Sequence, residues 1–177
     1  MKKITYLFFL LIVSSAYSQV KWMSLEQAVE AQKNQPRKIL IDFYNDGNEA
    51  SKIMEKSTFN HPVISKYLNE NYYPVRFNAE SKENITLFGR TFSNSNLPDK
   101  KGQKPLHDFV KFMNVTTIPT TVFLDEQSMP ITILQGNLTA KELEPYIPFI
   151  ANDDYKKINT REQWENYQKK LSSKIKD

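Results

Sequence analysis

The sequence predicts an α/β sandwich built around a mixed sheet. Two apolar runs, "KILIDFY" (38–44) and "TTVFLD" (120–125), have few polar interruptions, which is the pattern of central strands covered on both faces. Helical periodicity lies between and around them, and three helix starts carry capping-box spacing. The order β, α, α, β, then β, β, α fits a layered sheet with helices on either side.

The chain opens with Lys2 and Lys3, the apolar run "ITYLFFLLIV", and "SSAYS" before Gln19. This is the n-region, h-region and A-x-S site of a secretory signal peptide, with cleavage expected after Ser18. The apolar run falls short of the roughly 20 residues that a membrane-spanning helix needs. No cysteine stands near the site to accept a lipid. The organisation expected is a signal peptide at 1–18, one domain at 19–151 and a helical extension at 152–177, with no membrane span after cleavage and a periplasmic or otherwise exported location.

Ser24 with Gln27 starts the first helix, "LEQAVEAQK", whose Leu25, Ala28 and Val29 share a face. The strand "KILIDFY" follows, then the helical stretches "ASKIMEKS" and "HPVISKYLNEN" and the shorter strand "YYPVRFN". Residues 80–110 read as an inserted excursion. In it "ITLFGRTFS" suits a hairpin turning at Gly89-Arg90, with Gly first as in a type II′ turn, and "SNSNLPDKKGQK" reads as a surface loop. After "TTVFLD" and "PITILQG", Thr139 with Glu142 starts a helix that Pro145 and Pro148 must kink, or that begins at Pro145. Thr160 with Gln163 starts the last helix, with Trp164, Tyr167 and Leu171 on one face, and the lysine-rich end after Leu171 reads as frayed helix.

Composition excludes several function classes. The 177 residues contain no cysteine, so thiol chemistry is unavailable and the fold rests on packing alone. The signal peptide carries two of the 24 basic residues and none of the 20 acidic ones, so its removal lowers the net charge from +4 to +2. That balance gives no footprint for nucleic acid.

The stretch "ILIDFYNDGNEASKIM" resembles the active-site segment of the thioredoxin-like fold family, in which a strand ending Asp-Phe-Trp/Tyr runs through Trp-Cys-x-x-Cys-Lys into a helix. Aligned on Asp42, Phe43 and Lys52, the cysteine positions fall on Asn48 and Ser51 and the tryptophan on Gly47. "TTIPTTVFLD" is similar to the family's cis-proline segment, which implies that Pro119 is cis and faces the Asn48–Ser51 turn. The opening "WMSLEQAVEAQKNQPRKILIDF" is similar to exported members. The resemblance covers most of residues 22–150. It implies a three-layer sandwich with an insertion before the cis-proline strand.

In the family a helix N-terminus lowers the pKa of the attacking cysteine. Asn48 cannot form a thiolate, and Ser51 offers only a weakly acidic hydroxyl with no neighbouring histidine to activate it. Both are expected to cap the following helix. Asp42 corresponds to the family's buried aspartate and is expected to be a remnant with a raised pKa.

Other chemistry is thin. His61 and His107 lie far apart, the pairs Asp125-Glu126 and Asp153-Asp154 fall in turns, and "GNEASK" lacks the spacing of a phosphate loop. The triplets headed by Asn84, Asn114 and Asn137 are common by chance. No catalytic residue, metal or cofactor is expected.

The resemblance implies a groove in which an extended segment pairs with free backbone groups as an added strand. Thr117, Ile118 and Pro119 would form one side, and Gly47, Asn48, Glu49, Ala50 and Ser51 the other. The reading is a redox-inactive binding module of the cell envelope, holding a protein or extended peptide through this groove, through residues 85–104, or both. The alternatives are a thiol-independent accessory in a disulfide-exchange or protein-folding pathway, and a structural subunit of an envelope assembly.

Overall fold

The computed structural model describes residues 19–94 and 105–175. The expected signal peptide, most of the loop "SNSNLPDKKGQK" and the last two residues lie outside the described residues.

"KILIDFY" forms β1 (Lys38–Tyr44), and its first six residues are buried. β1 pairs in parallel with β2 (Tyr72–Asn78) and antiparallel with β5 (Thr120–Leu124). β6 (Pro130–Gln135) lies antiparallel to β5, so the sheet order is β2-β1-β5-β6. The mixed sheet is the one predicted. Alternation along β1 splits the core in two. Ile39, Ile41 and Phe43 face one layer with Val75, Phe77 and Val122, and Leu40 faces the other with Tyr72 and Phe123.

The first layer is closed by α1 (Leu25–Asn34), by the hairpin β3 (Ile85–Leu87) and β4 (Arg90–Phe92), and by α4 (Asp108–Phe112). The second is closed by α2 (Glu49–Met54), a π-helical turn (Glu55–Phe59), α3 (Pro62–Asn71), α5 (Ala140–Leu143) and α6 (Tyr146–Ala151). α7 (Arg161–Lys170) follows a 3₁₀ turn, Asp154–Lys156. All three capping boxes form, at Ser24/Gln27, Thr139/Glu142 and Thr160/Gln163. The chain breaks between α5 and α6 at Pro145, while Pro148 sits in the first turn of α6, where a missing N–H costs no intrahelical bond.

Two expectations need correction. The hairpin turns at Phe88-Gly89, not at Gly89-Arg90. Leu87 faces Arg90, and Phe88 (φ 55°) and Gly89 (φ 70°) both have positive φ, the pattern of a type I′ turn. This register turns Ile85, Leu87 and Phe92 inward together. The hairpin of the excursion also adds to the core, because these three residues are 5%, 3% and 1% exposed and belong to the first core layer.

The end of the chain is not frayed helix either. α7 stops at Lys170, and Glu144, itself buried, accepts from the Ser173 hydroxyl and from the Lys174 N–H at 2.7 Å, while Ile175 joins the second core layer. The extension is tied to the domain a second time by Lys38. Its buried ammonium meets Glu126 at 2.6 Å and Asp153 at 2.9 Å. α7 buries no residue fully and leans on α6 through Trp164, whose ring lies 4.8 Å from Phe149 and 4.9 Å from Tyr146.

Candidate functional site

β1 ends at Tyr44, and the next four residues turn the chain into α2 through local hydrogen bonds. The Asn45 side chain accepts from Gly47 N–H at 2.7 Å, and the Asn45 carbonyl accepts from Asn48 N–H at 3.0 Å. Asn48 is the N-cap of α2, its Oδ1 accepting from Ser51 N–H at 3.0 Å. Ser51 is 3% exposed, and its hydroxyl accepts from Asn45 N–H at 3.3 Å. Asn48 thus caps the helix as expected, whereas the Ser51 side chain pins the turn that enters it.

The facing wall is the loop before β5, where the Ile118–Pro119 peptide bond is cis. The structure brings the two predicted walls together directly. Asn48 donates its side-chain N–H to the Ile118 carbonyl at 3.2 Å. Gly47 and Glu49 are exposed, Asn48, Ala50 and Ile118 half-buried, Thr117 exposed and Pro119 buried.

The edge expected to offer free backbone groups is largely engaged within the chain. Gln135 Oε1 accepts from Thr116 N–H at 3.1 Å and Thr117 N–H at 3.3 Å, and the Thr120 hydroxyl donates to the Thr117 carbonyl at 2.7 Å. Gln135 Nε2 donates in turn to the Asn114 carbonyl at 2.9 Å. Sequence reasoning missed Gln135, since only the β5–β6 register, which sets Thr120 opposite it, carries it to this loop.

Behind the turn lies a partly buried charge cluster. Asp42 is 2% exposed, with Oδ2 at 3.4 Å from Arg76 Nε. The Arg76 fork is committed to Glu55 at 2.6 and 2.8 Å, and its guanidinium lies 4.0 Å from the centre of the Tyr44 ring. Burial pushes the Asp42 carboxyl up to about 7, with Glu55 adding to the rise and Arg76 opposing it. Its Oδ1 and the hydroxyl of Thr121, its neighbour across the β1–β5 pair, are buried without hydrogen-bond partners. This agrees with a raised pKa, because a half-satisfied buried carboxylate favours its neutral form.

Both histidine rings serve as helix caps. His61 Nδ1 accepts from Val63 N–H to cap α3, and His107 Nδ1 accepts from Phe109 N–H to cap α4 while its other ring nitrogen meets the Glu83 carbonyl at 2.8 Å. Among the described residues no group of three or more His, Asp or Glu side chains is placed to hold a metal ion. No helix among them is long and apolar enough to cross a membrane. A cavity of about 390 Å³ lies away from the cis-proline loop, between α3, α6 and the C-terminal tail. The turn can order backbone and present a surface, but it holds no thiol to exchange.

Comparison with known proteins agrees with this geometry. No curated protein matches the chain. A thioredoxin-fold protein from Helicobacter pylori is similar in structure, with a TM-score of 0.57 at 17% identity over 76% of this chain and 81% of that one. A thioredoxin from Thermus thermophilus gives 0.54 at 15% identity over 75% and 87%, and a DsbH oxidoreductase 0.53 at 16% over 78% and 88%. At such identities the likeness concerns the fold. The family profile described as thioredoxin-like domain matches residues 25–151, more than half of the sequence, so the chain belongs to the thioredoxin-like domain family and is a member without either active-site cysteine.

Proposed function

We propose that the mature protein is a non-catalytic binding module of the cell envelope, exported by the signal peptide at residues 1–18 and holding a protein or extended-peptide partner through the former active-site groove, the hairpin insertion, or both. One observation carries this reading. Asn48 and Ser51, at the two sulfur positions, are engaged in hydrogen bonds within the chain, while the cis-proline loop and the sheet that positions it are kept. Loss of the reacting atoms with retention of the scaffold favours binding over exchange.

The groove that this leaves is narrower in chemistry than that of a redox-active relative. With the Ile118 carbonyl and the Thr117 N–H engaged, a partner segment gains fewer backbone bonds. Side-chain contacts with Ile118, Ala50 and Glu49 then carry the affinity.

The test is affinity capture of the tagged mature protein from the envelope of its own cells, alongside an Ile118→Asp variant, with an insulin-reduction assay on both. A partner lost with Ile118→Asp and no reductase activity supports the groove. Measurable reductase activity in the unaltered protein would overturn the reading, as would the lack of any partner sensitive to substitution in the groove or the hairpin. A second reading, a structural subunit docking through α7, rests on the half-exposed rings of Trp164 and Tyr167. It predicts a complex that survives both sets of substitutions and is lost on Trp164→Ala.

A further inference from the structure

We propose that the tip of the β3–β4 hairpin is a docking surface at which Phe88 enters an apolar socket of a protein partner while Arg90 pairs with a carboxylate on the socket's rim. This rests on the binding-module reading and names the partner chemistry at one of its two surfaces.

The first argument is that Phe88 is an unfavourable choice twice over. Its φ of 55° is left-handed backbone, which costs an L-residue with a bulky side chain on the order of 1–2 kcal/mol. At the first central position of a type I′ turn Asn, Asp and Gly are the residues that meet this demand. The strain brings only partial burial, because the residue is 50% exposed and no other ring packs against it among the described residues. A strained, exposed aromatic at a turn is an outlier from which a functional role can be inferred.

The second argument is that the tip stands on a rigid base. Ile85, Leu87 and Phe92 are anchored in the core, and the Thr86 and Thr91 hydroxyls meet at 3.1 Å across the outer face. The Asn94 side chain donates to the carbonyls of Ser81 and Pro105, and His107 holds Glu83, so the strands are fastened where they leave the domain. Phe88 is presented with little ordering entropy left to lose on binding.

The third argument concerns charge. The Arg90 guanidinium lies 4.8 Å from the Phe92 ring centre and 5.5 Å from that of Phe112, which is itself 45% exposed. The rings orient the fork, yet no carboxylate lies within ion-pair distance of it among the described residues. An exposed phenylalanine two residues from a ring-oriented arginine that has no carboxylate partner among the described residues matches the composition of protein interaction hot spots, with a complementary acid still to be supplied. A lipid surface fits less well, because the outer face of the hairpin is the hydroxyl pair Thr86 and Thr91.

The test places the photo-crosslinking amino acid benzoylphenylalanine at position 88 of the full chain in its own cells. The expected result is one protein adduct, reduced more than about tenfold by Arg90→Glu, since losing one partner of a desolvated charge pair exceeds the 1.4 kcal/mol that equals tenfold. Changing the acid nearest the crosslink on the partner to Lys should restore it. Phe88→Asn should fold with an equal or higher Tm. Adducts with lipid alone, with a second copy of the chain, or with nothing would overturn the proposal, and so would a Tm several degrees lower for Phe88→Asn, which would make the ring structural. If position 88 gives no adduct while Ile118→Asp strips a captured partner, only the hairpin proposal fails. If neither responds, the binding-module reading fails with it.

Discussion

Asn48 joins the start of α2 to the residue before the cis-proline, accepting from Ser51 N–H with Oδ1 and donating to the Ile118 carbonyl with Nδ2. One side chain thus occupies the former nucleophile position and closes the groove against the facing loop. Asn48→Ala should lose both bonds and cost about 1–2 kcal/mol in urea unfolding. Asn48→Asp keeps the cap but sets a carboxylate oxygen against the Ile118 carbonyl. Its stability should fall less than that of Asn48→Ala, while amide exchange over residues 116–120 rises.

Thiol chemistry should be restorable. The double variant Asn48→Cys, Ser51→Cys puts a sulfur at the N-cap of α2 and another three residues on, beside unpaired backbone donors that favour a thiolate. We expect an intramolecular disulfide on air oxidation and dithiothreitol-driven insulin reduction above the blank, with none from the unaltered protein. Thiol titration and insulin turbidity measure the two.

The Asp42 carboxyl, raised to about 7 by burial, binds its proton more tightly folded than unfolded. Its contribution to stability is therefore complete below the ordinary carboxylate value of 3.8 and is lost as pH rises through about 7. Asp42→Asn should remove this slope. Urea midpoints of the two proteins should lie close at pH 3 and separate at pH 8, with the variant more stable there by at least about 1 kcal/mol.

Glu144 holds the C-terminal segment through Ser173 and Lys174. Glu144→Ala should release it, expose Ile175 and cost about 1–2 kcal/mol. Hydrogen exchange at residues 173–175 should speed up while β1 stays protected.

Much of this fold is legible because its signals are local. The capping boxes at Ser24, Thr139 and Thr160 each need only four residues, and "KILIDFY" shows its burial by composition alone. What escaped depends on pairing across the chain. The sequence leaves the hairpin turn ambiguous by one residue because glycine suits either central position, and the choice is made by the inward set Ile85, Leu87 and Phe92. Gln135 could not be assigned to the site, since it reaches Thr116 and Thr117 only through the register of β5 with β6. The fastening of the C-terminal segment is hidden for the same reason: Glu144 meets Lys174 30 residues away in sequence. The placement of Asn48 opposite Pro119 was legible, through resemblance, although its bond to Ile118 was not.

The order β2-β1-β5-β6 leaves the sheet with two margins, and the chain treats them differently. On the β2 side Met23 pairs with the strand, its N–H reaching the Pro74 carbonyl at 3.0 Å and its carbonyl accepting from Arg76 N–H at 3.3 Å. On the β6 side the strand begins at Pro130, which has no N–H to offer, and a register irregularity at Phe123/Leu124 disturbs the pairing beside it. Both devices are known ways of blunting strand edges against edge-to-edge self-recruitment. A family member that keeps the scaffold without the thiols is thereby made a poor template for stacking on itself.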